Sequence, residues 1–195
     1  MVVNVNYCRL FALRKYYCLH CSNKSPRSTG VKLLEQILDN KLSFEIKLFD
    51  YGCSTWRNTK YICSKYRVKY AIRCDITSIT KHDIVCYPTH LPFRNKVFNV
   101  VLLSHILMFL NNKNEWKVVL NELKRICKKY IVIETFHCKG KSRMKSFEKP
   151  LQYTKEELLN LINDLKLRII KKKIDKLMEC LVVVLLTRGV LFCEC

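Results

Sequence analysis

The apolar positions of the chain switch repeatedly between a helical and an extended period. Val31, Leu34 and Leu38, with Leu33 and Ile37 beside them, recur at helical spacing and predict a helix ending near Asn40. Glu45 to Asp50 then reads as a strand, and Thr55 to Tyr66 as a helix of mixed polarity carrying Tyr61, Ile62 and Tyr66. Lys69 to Cys74 reads as a second strand ending at Asp75, and Asp83 to Tyr87 as a short third. Val97 to Leu103 is a fourth, whose unbroken apolar run suits a strand buried on both faces. Trp116, Val119, Leu120, Leu123 and Cys127 lie on one stripe of a helix, and Tyr130 to Glu134 follows as a fifth strand. Thr154 and Glu157 form a capping box that opens a helix with Leu158, Leu161, Ile162 and Leu165 inward. Two more apolar strands, Leu167 to Ile174 and Cys180 to Thr187, come last.

Such alternation predicts an α/β domain with a mainly parallel sheet and helices on both faces. Ser22 to Gly30 is a turn or loop by its Ser, Pro and Gly content, so residues 1–30 read as an N-terminal extension and 31–195 as one domain. Within that domain, Ile46 to Trp56 stands out. An apolar run ends in Asp50, Gly52 follows two residues later, and small and polar residues lead into a helix. This strand, turn and helix start is the joint at which open α/β sheets bind nucleotide-like ligands.

Charge adds a partner to the picture. Lys and Arg number 36 against 16 Asp and Glu, a formal net charge of +20. That excess attracts polyanions, with nucleic acid the natural one, although a coding bias toward Lys, Asn, Ile and Tyr would give the same charge without such a ligand. The segment after the fifth strand holds Lys139, Lys141, Arg143 and Lys145 between Phe136 and Tyr153. Cations for phosphates and aromatics for stacking suit single-stranded or looped RNA; a solvated loop has the same composition. The 12 cysteines are scattered through strands, so reduced thiols and a cytoplasmic location are expected. The longest apolar run, Leu181 to Leu186, is far short of a membrane span, and no membrane association is expected. Cys18, His20 and Cys21 have the spacing of half a zinc site without a second pair, so no metal is expected.

Several segments together resemble the class I S-adenosylmethionine-dependent methyltransferases of the general "type 11" kind, from about residue 31 to about 188. Phe49-Asp50-Tyr51-Gly52-Cys53 is similar to the first motif of that family, and Ala71-Ile72-Arg73-Cys74-Asp75 to its second strand with a terminal acid. Leu91-Pro92-Phe93 leading into Val97 to Val101, then Ser104-His105-Ile106-Leu107, resembles its fourth strand and the turns around it. Asn121 to Ile126 is similar to the helix before its fifth strand. The resemblance implies a Rossmann-like three-layer sandwich with seven strands, the last antiparallel, and S-adenosylmethionine as cofactor.

It further implies cofactor contacts from Asp50, Gly52, Cys53, Ser54, Asp75, Tyr87 and Ser104. Asp50 would lie near the cofactor ammonium, Asp75 would accept from the ribose hydroxyls, and the Gly52 turn would offer backbone N–H groups. Imidazole titrates near neutral pH, so His105 just past the fourth strand is a candidate base; a packed histidine is the alternative. The chain departs from the family pattern at Ser54 and Trp56, where further glycines are usual, at Tyr87 in place of an acid, at Asn99 in place of an Asp, and at Lys128-Lys129 in place of glycines. No Asp-Pro-Pro-Tyr segment follows the fourth strand. Three functions stay open: a methyltransferase acting on RNA or other nucleic acid, an inactive methyltransferase-like domain binding nucleic acid or protein, and an enzyme acting on a small molecule or protein.

Overall fold

A computed structural model describes residues 27–40, 44–75, 82–107, 110, 112–136, 154–175 and 180–187. In chain order the elements are α1 (Thr29–Leu38), β1 (Ile46–Tyr51), α2 (Arg57–Lys65), β2 (Val68–Asp75), β3 (Ile84–Val85), β4 (Phe98–Ser104), α3 (Lys113–Ile126), β5 (Cys127–Phe136), α4 (Lys155–Asp164), β6 (Arg168–Asp175) and β7 (Cys180–Leu186). The strands form one seven-stranded sheet in the order β3-β2-β1-β4-β5-β7-β6. β7 runs antiparallel to both β5 and β6, and every other pairing is parallel. The order therefore reverses between β1 and β4, which opens a crevice at their C-terminal ends.

Side chains alternate across the sheet, so each face has its own core. Ile46, Leu48, Val100, Leu102, Val132 and Val184 pack with Val31, Leu34 and Leu38 of α1 and Ile62 of α2. On the other face Phe49, Val101, Leu103, Ile131 and Val183 meet Trp116, Leu120 and Leu123 of α3 and Leu158 and Ile162 of α4. Since Leu48 belongs to the first core, period two puts Asp50 on the α1/α2 face, and the same count puts Ser104 and Glu134 there.

Local signals explain the helix starts. Ser28 caps α1 by accepting from the Val31 N–H, Asn112 caps α3 through the Glu115 N–H, and Thr154 with Glu157 forms the expected capping box of α4. Boundaries moved where tertiary contacts intervene. The helix expected from Thr55 begins at Arg57, because Trp56 is left-handed (φ 62°) and has no side-chain cap. Cys127, placed on a helical stripe by spacing, is extended and is the first residue of β5, so α3 runs into β5 without a loop. The third strand shrinks to Ile84–Val85.

α1 sits close on the sheet because Gly30 lacks a side chain. A Cβ there would lie 2.7 Å from Val132 Cγ1 and 3.1 Å from Glu134 Oε2. Gly30→Ala is expected to destabilise the fold by about 1–3 kcal/mol despite the better helix propensity of alanine, measured by urea denaturation. An unchanged midpoint would mean that α1 rides higher on the sheet than described.

Candidate active site at the strand switch point

The chain leaves β1 through a turn whose backbone N–H groups at Gly52, Cys53, Ser54 and Trp56 are hydrogen-bonded within the fold. Asp50 is 1% exposed, and its Oδ2 accepts from Thr59 Oγ1 at 2.6 Å, so the first turn of α2 holds the acid at the end of β1. Gly52 takes φ 75°, a left-handed conformation that glycine adopts without a Cβ clash. Ser54 (φ 47°) and Trp56 (φ 62°) are left-handed as well, without that freedom.

The Gly52 and Cys53 N–H groups both donate to the Cys74 carbonyl, at 2.8 and 3.2 Å, and the Ser54 N–H donates to Asp75 Oδ2 at 3.1 Å. Asp75 is fully buried beneath this turn. The N–H groups that the resemblance implies would face a ligand are here hydrogen-bonded to the end of β2.

Trp56 lies over β2 and α2. The Arg73 guanidinium sits 4.2 Å from its ring centroid and the Lys60 ammonium 5.5 Å away, both in cation–π range. Arg73 is itself fixed by Asp83, with Nε donating to Oδ2 at 2.9 Å. The Trp56 indole N–H is buried and finds no acceptor among the described residues. A buried unpaired donor costs about 1–3 kcal/mol, so this N–H would gain from a bound acceptor.

A second polar cluster lies across the crevice. The Asn58 amide accepts from the Ser28 N–H at 2.9 Å and reaches Ser104 Oγ at 3.4 Å, tying α1, α2 and the end of β4 together. His105, left-handed at φ 56°, donates its N–H to the Glu134 carbonyl at 2.6 Å. Its Nε2 faces Glu134 Oε1 at 3.7 Å, while Glu134 Oε2 accepts from the Gly30 N–H at 3.0 Å. Burial alone would raise the Glu134 carboxyl, but His105, Ser28 and the Gly30 N–H outweigh it and hold it near a pKa of about 2. On the other sheet face, Tyr87 donates its hydroxyl to the buried Glu115 at 3.1 Å.

The fold thus gathers Asp50, Gly52, Cys53, Ser54 and Asp75 at the ends of β1 and β2, and Ser104 and His105 at the end of β4. Asn99 is at the far end of β4, where its side-chain Oδ1 accepts from the Lys47 N–H of β1 at 3.2 Å. Sequence reading missed Asn58, Thr59, Glu115 and Glu134. Glu134 carried a usable signal, an acid closing an apolar strand as Asp50 and Asp75 do. Asn58 and Thr59 carried none, because their partners are distant in sequence.

Lys139, Lys141, Arg143 and Lys145 lie outside the described residues, as do Cys18, His20 and Cys21. Among the described residues, no three His, Cys, Asp or Glu side chains group to hold a metal, and no helix is long and apolar enough to cross a membrane.

The depressed Glu134 pKa sets a pH window. A carboxyl whose folded pKa lies below its ordinary 4.5 stabilises the fold above about pH 4.5 and loses that contribution as pH falls toward about 2. Glu134→Gln should lower stability at neutral pH and flatten the loss between pH 4.5 and 2, read by denaturant midpoints at each pH. An equally steep acid loss in the variant would assign it to other carboxylates.

No protein-family model matches the chain, and neither does any curated protein. Solved structures do match. One is the Burkholderia thailandensis 1,6-didemethyltoxoflavin-N1-methyltransferase with bound 1,6-didemethyltoxoflavin and S-adenosylhomocysteine, at 13% identity over 94% of this chain and 89% of that one, TM-score 0.71. Another is an S-adenosylmethionine-dependent methyltransferase from Clostridium acetobutylicum, at 11% identity over 91% and 98%, TM-score 0.68. A third is the [4+2]-cyclase SpnF, at 9% identity over 85% and 84%, TM-score 0.63. The chain therefore has the class I S-adenosylmethionine-dependent methyltransferase fold.

Proposed function

We propose that the chain is an S-adenosylmethionine-dependent methyltransferase whose acceptor is a nucleic acid, with RNA favoured. The observation that carries the reading is the meeting of Asp50, the Gly52 turn and Asp75 at the point where strand order reverses, the place where such sheets bind ligands. The residues fit the cofactor in part. Two strand-end acids are present, and Trp56 brings a buried N–H that lacks an acceptor. Asp50, Asp75, Ser54 and Trp56 would hold the cofactor from the β1/β2 side, with Cys53 and Ser104 on the crevice walls, while Tyr87 lies on the other sheet face, bonded to Glu115.

When bound, S-adenosylmethionine supplies a sulfonium methyl group for in-line displacement. The chain's task is then mainly to position the acceptor and keep water out. His105 takes the acceptor's proton, and Glu134, ionised and facing Nε2, orients the ring and stabilises the resulting imidazolium. The nucleic-acid acceptor is supported by the net charge of +20. Lys69, Arg94, Lys128, Lys166 and Arg168 are exposed at the end of the sheet where the parallel strands begin, opposite the crevice, so they contribute to the overall charge and not to the acceptor site itself.

The committed N–H groups of Gly52, Cys53 and Ser54 favour a second reading, a domain of this fold that binds a partner without the cofactor. The existence of a cyclase of this fold makes the point that fold alone does not fix chemistry. Calorimetric titration with S-adenosylhomocysteine separates the two. Saturable heat that weakens about 10–100-fold in Asp75→Asn supports the enzyme, since a hydrogen bond to a charged group is worth about 1.5–3 kcal/mol. No heat from the folded chain would leave the second reading. His105→Gln should then lower turnover roughly 100-fold while leaving S-adenosylhomocysteine affinity intact.

For the acceptor, affinity for a single-stranded RNA should fall steeply with salt, with a log–log slope of about −0.7 per neutralised phosphate. A flat response would remove RNA as the acceptor.

A further inference from the structure

We infer that Cys74 and Cys86 are a reversible oxidation site that closes as a disulfide, with glutathione disulfide or a similar small disulfide as oxidant, and that this bond latches the β2–β3 edge onto the turn after β1. Cys74 is the penultimate residue of β2 and pairs with Ile84, and Cys86 follows β3 directly. Their sulfurs are 2.6 Å apart, against ~2.05 Å for a disulfide bond. Both are free thiols, so closure asks for about half an ångström of side-chain movement and no change of register.

The pair is wired into the crevice through its carbonyls. The Cys74 carbonyl accepts both turn N–H groups, from Gly52 and Cys53, and the Cys86 carbonyl accepts the Tyr51 hydroxyl at 2.7 Å. β3, which carries the Cys86 side of this arrangement, is two residues long and lies at the edge of the sheet, where strands open most readily. A covalent bond between Cys74 and Cys86 replaces that opening with a fixed spacing. It thereby holds the acceptor that keeps the Gly52 turn in place.

Exposure sets the order of steps. Cys86 is half-buried and meets the oxidant, whereas Cys74 is fully buried. The Cys86 sulfur gives up its proton to solvent and attacks one sulfur of glutathione disulfide. A mixed disulfide forms, and one glutathione thiolate leaves and takes up a proton. The Cys74 sulfur then attacks the Cys86 sulfur, releasing the second glutathione thiolate, which takes up the Cys74 proton. Two protein thiols are oxidised to one disulfide, and one glutathione disulfide is reduced to two thiols. Hydrogen bonding to Cys86 and burial push the Cys74 thiol up, so Cys74 is the resolving sulfur and not the first to attack.

The full chain, first reduced, would be equilibrated in glutathione buffers of rising oxidised fraction, capped with N-ethylmaleimide and mapped at the peptide level, since 12 cysteines compete. The expected result is a linked Cys74–Cys86 peptide, lighter than the two reduced peptides by about two protons and reopened by a reductant. The residues are 12 positions apart, and a loop of that size predicts a rise in Tm on the order of 5–10 °C. Hydrogen exchange at the Gly52 and Cys53 amides should slow in the oxidised form.

Cys86→Ala should lose the linkage, the Tm rise and the slowed exchange together, with Cys86→Ser as a second variant if the first does not fold. Capping of both thiols at every redox ratio would overturn the site, as would linkage of either to Cys53 or Cys63. A Cys74–Cys86 bond that leaves exchange at Gly52 and Cys53 unchanged would overturn the latch. Neither outcome bears on cofactor binding, which the titration with S-adenosylhomocysteine reads separately.

Discussion

A carboxylate buried at the end of a strand must be given hydrogen bonds or give up its charge, and that requirement shapes the whole crevice. Asp50, Asp75 and Glu134 end β1, β2 and the apolar part of β5, and all three are buried. Each is met by a different piece of chain: Thr59 from α2, the Ser54 N–H from the turn, and the Gly30 N–H from α1. The start of α2, the left-handed turn and the seat of α1 on the sheet are thus consequences of where the acids fall. Both helices bring their N-terminal turns to these carboxylates, which is the end whose partial positive charge suits an anion.

The same requirement explains how the turn differs from a glycine-rich one. With only Gly52 free of a Cβ, the chain reaches α2 through Ser54 and Trp56 in left-handed conformations. Their cost is offset by the two hydrogen bonds to the Cys74 carbonyl, the one to Asp75, and the stacking of Trp56 on Arg73. The donors that a glycine-rich loop leaves for a ligand here hold the sheet edge. The Trp56 indole N–H is buried in the turn without an acceptor among the described residues.

Much of the architecture was legible in the order of apolar runs. Seven strands and the intervening helices followed from period two against period 3.6, because each face of a parallel sheet must be covered. The ends were less legible. Cys127 fits the helical stripe of α3 as well as the first position of β5, and only its pairing with Phe98 decides for the strand. Trp56 fits the helical pattern that begins at Thr55, but its left-handed backbone (φ 62°) leaves it outside α2.

By itself the sequence determined the α/β alternation, the acids that close β1 and β2, and the large positive charge, since all three are local properties of composition and spacing. Only the tertiary structure decided what those acids touch. It brought Asn58 between Ser28 and Ser104, set Glu134 behind His105, and laid Cys86 against Cys74. Each of these contacts joins segments from different strands or helices, and their meeting depends on strand order and register, which a periodicity along one chain does not encode.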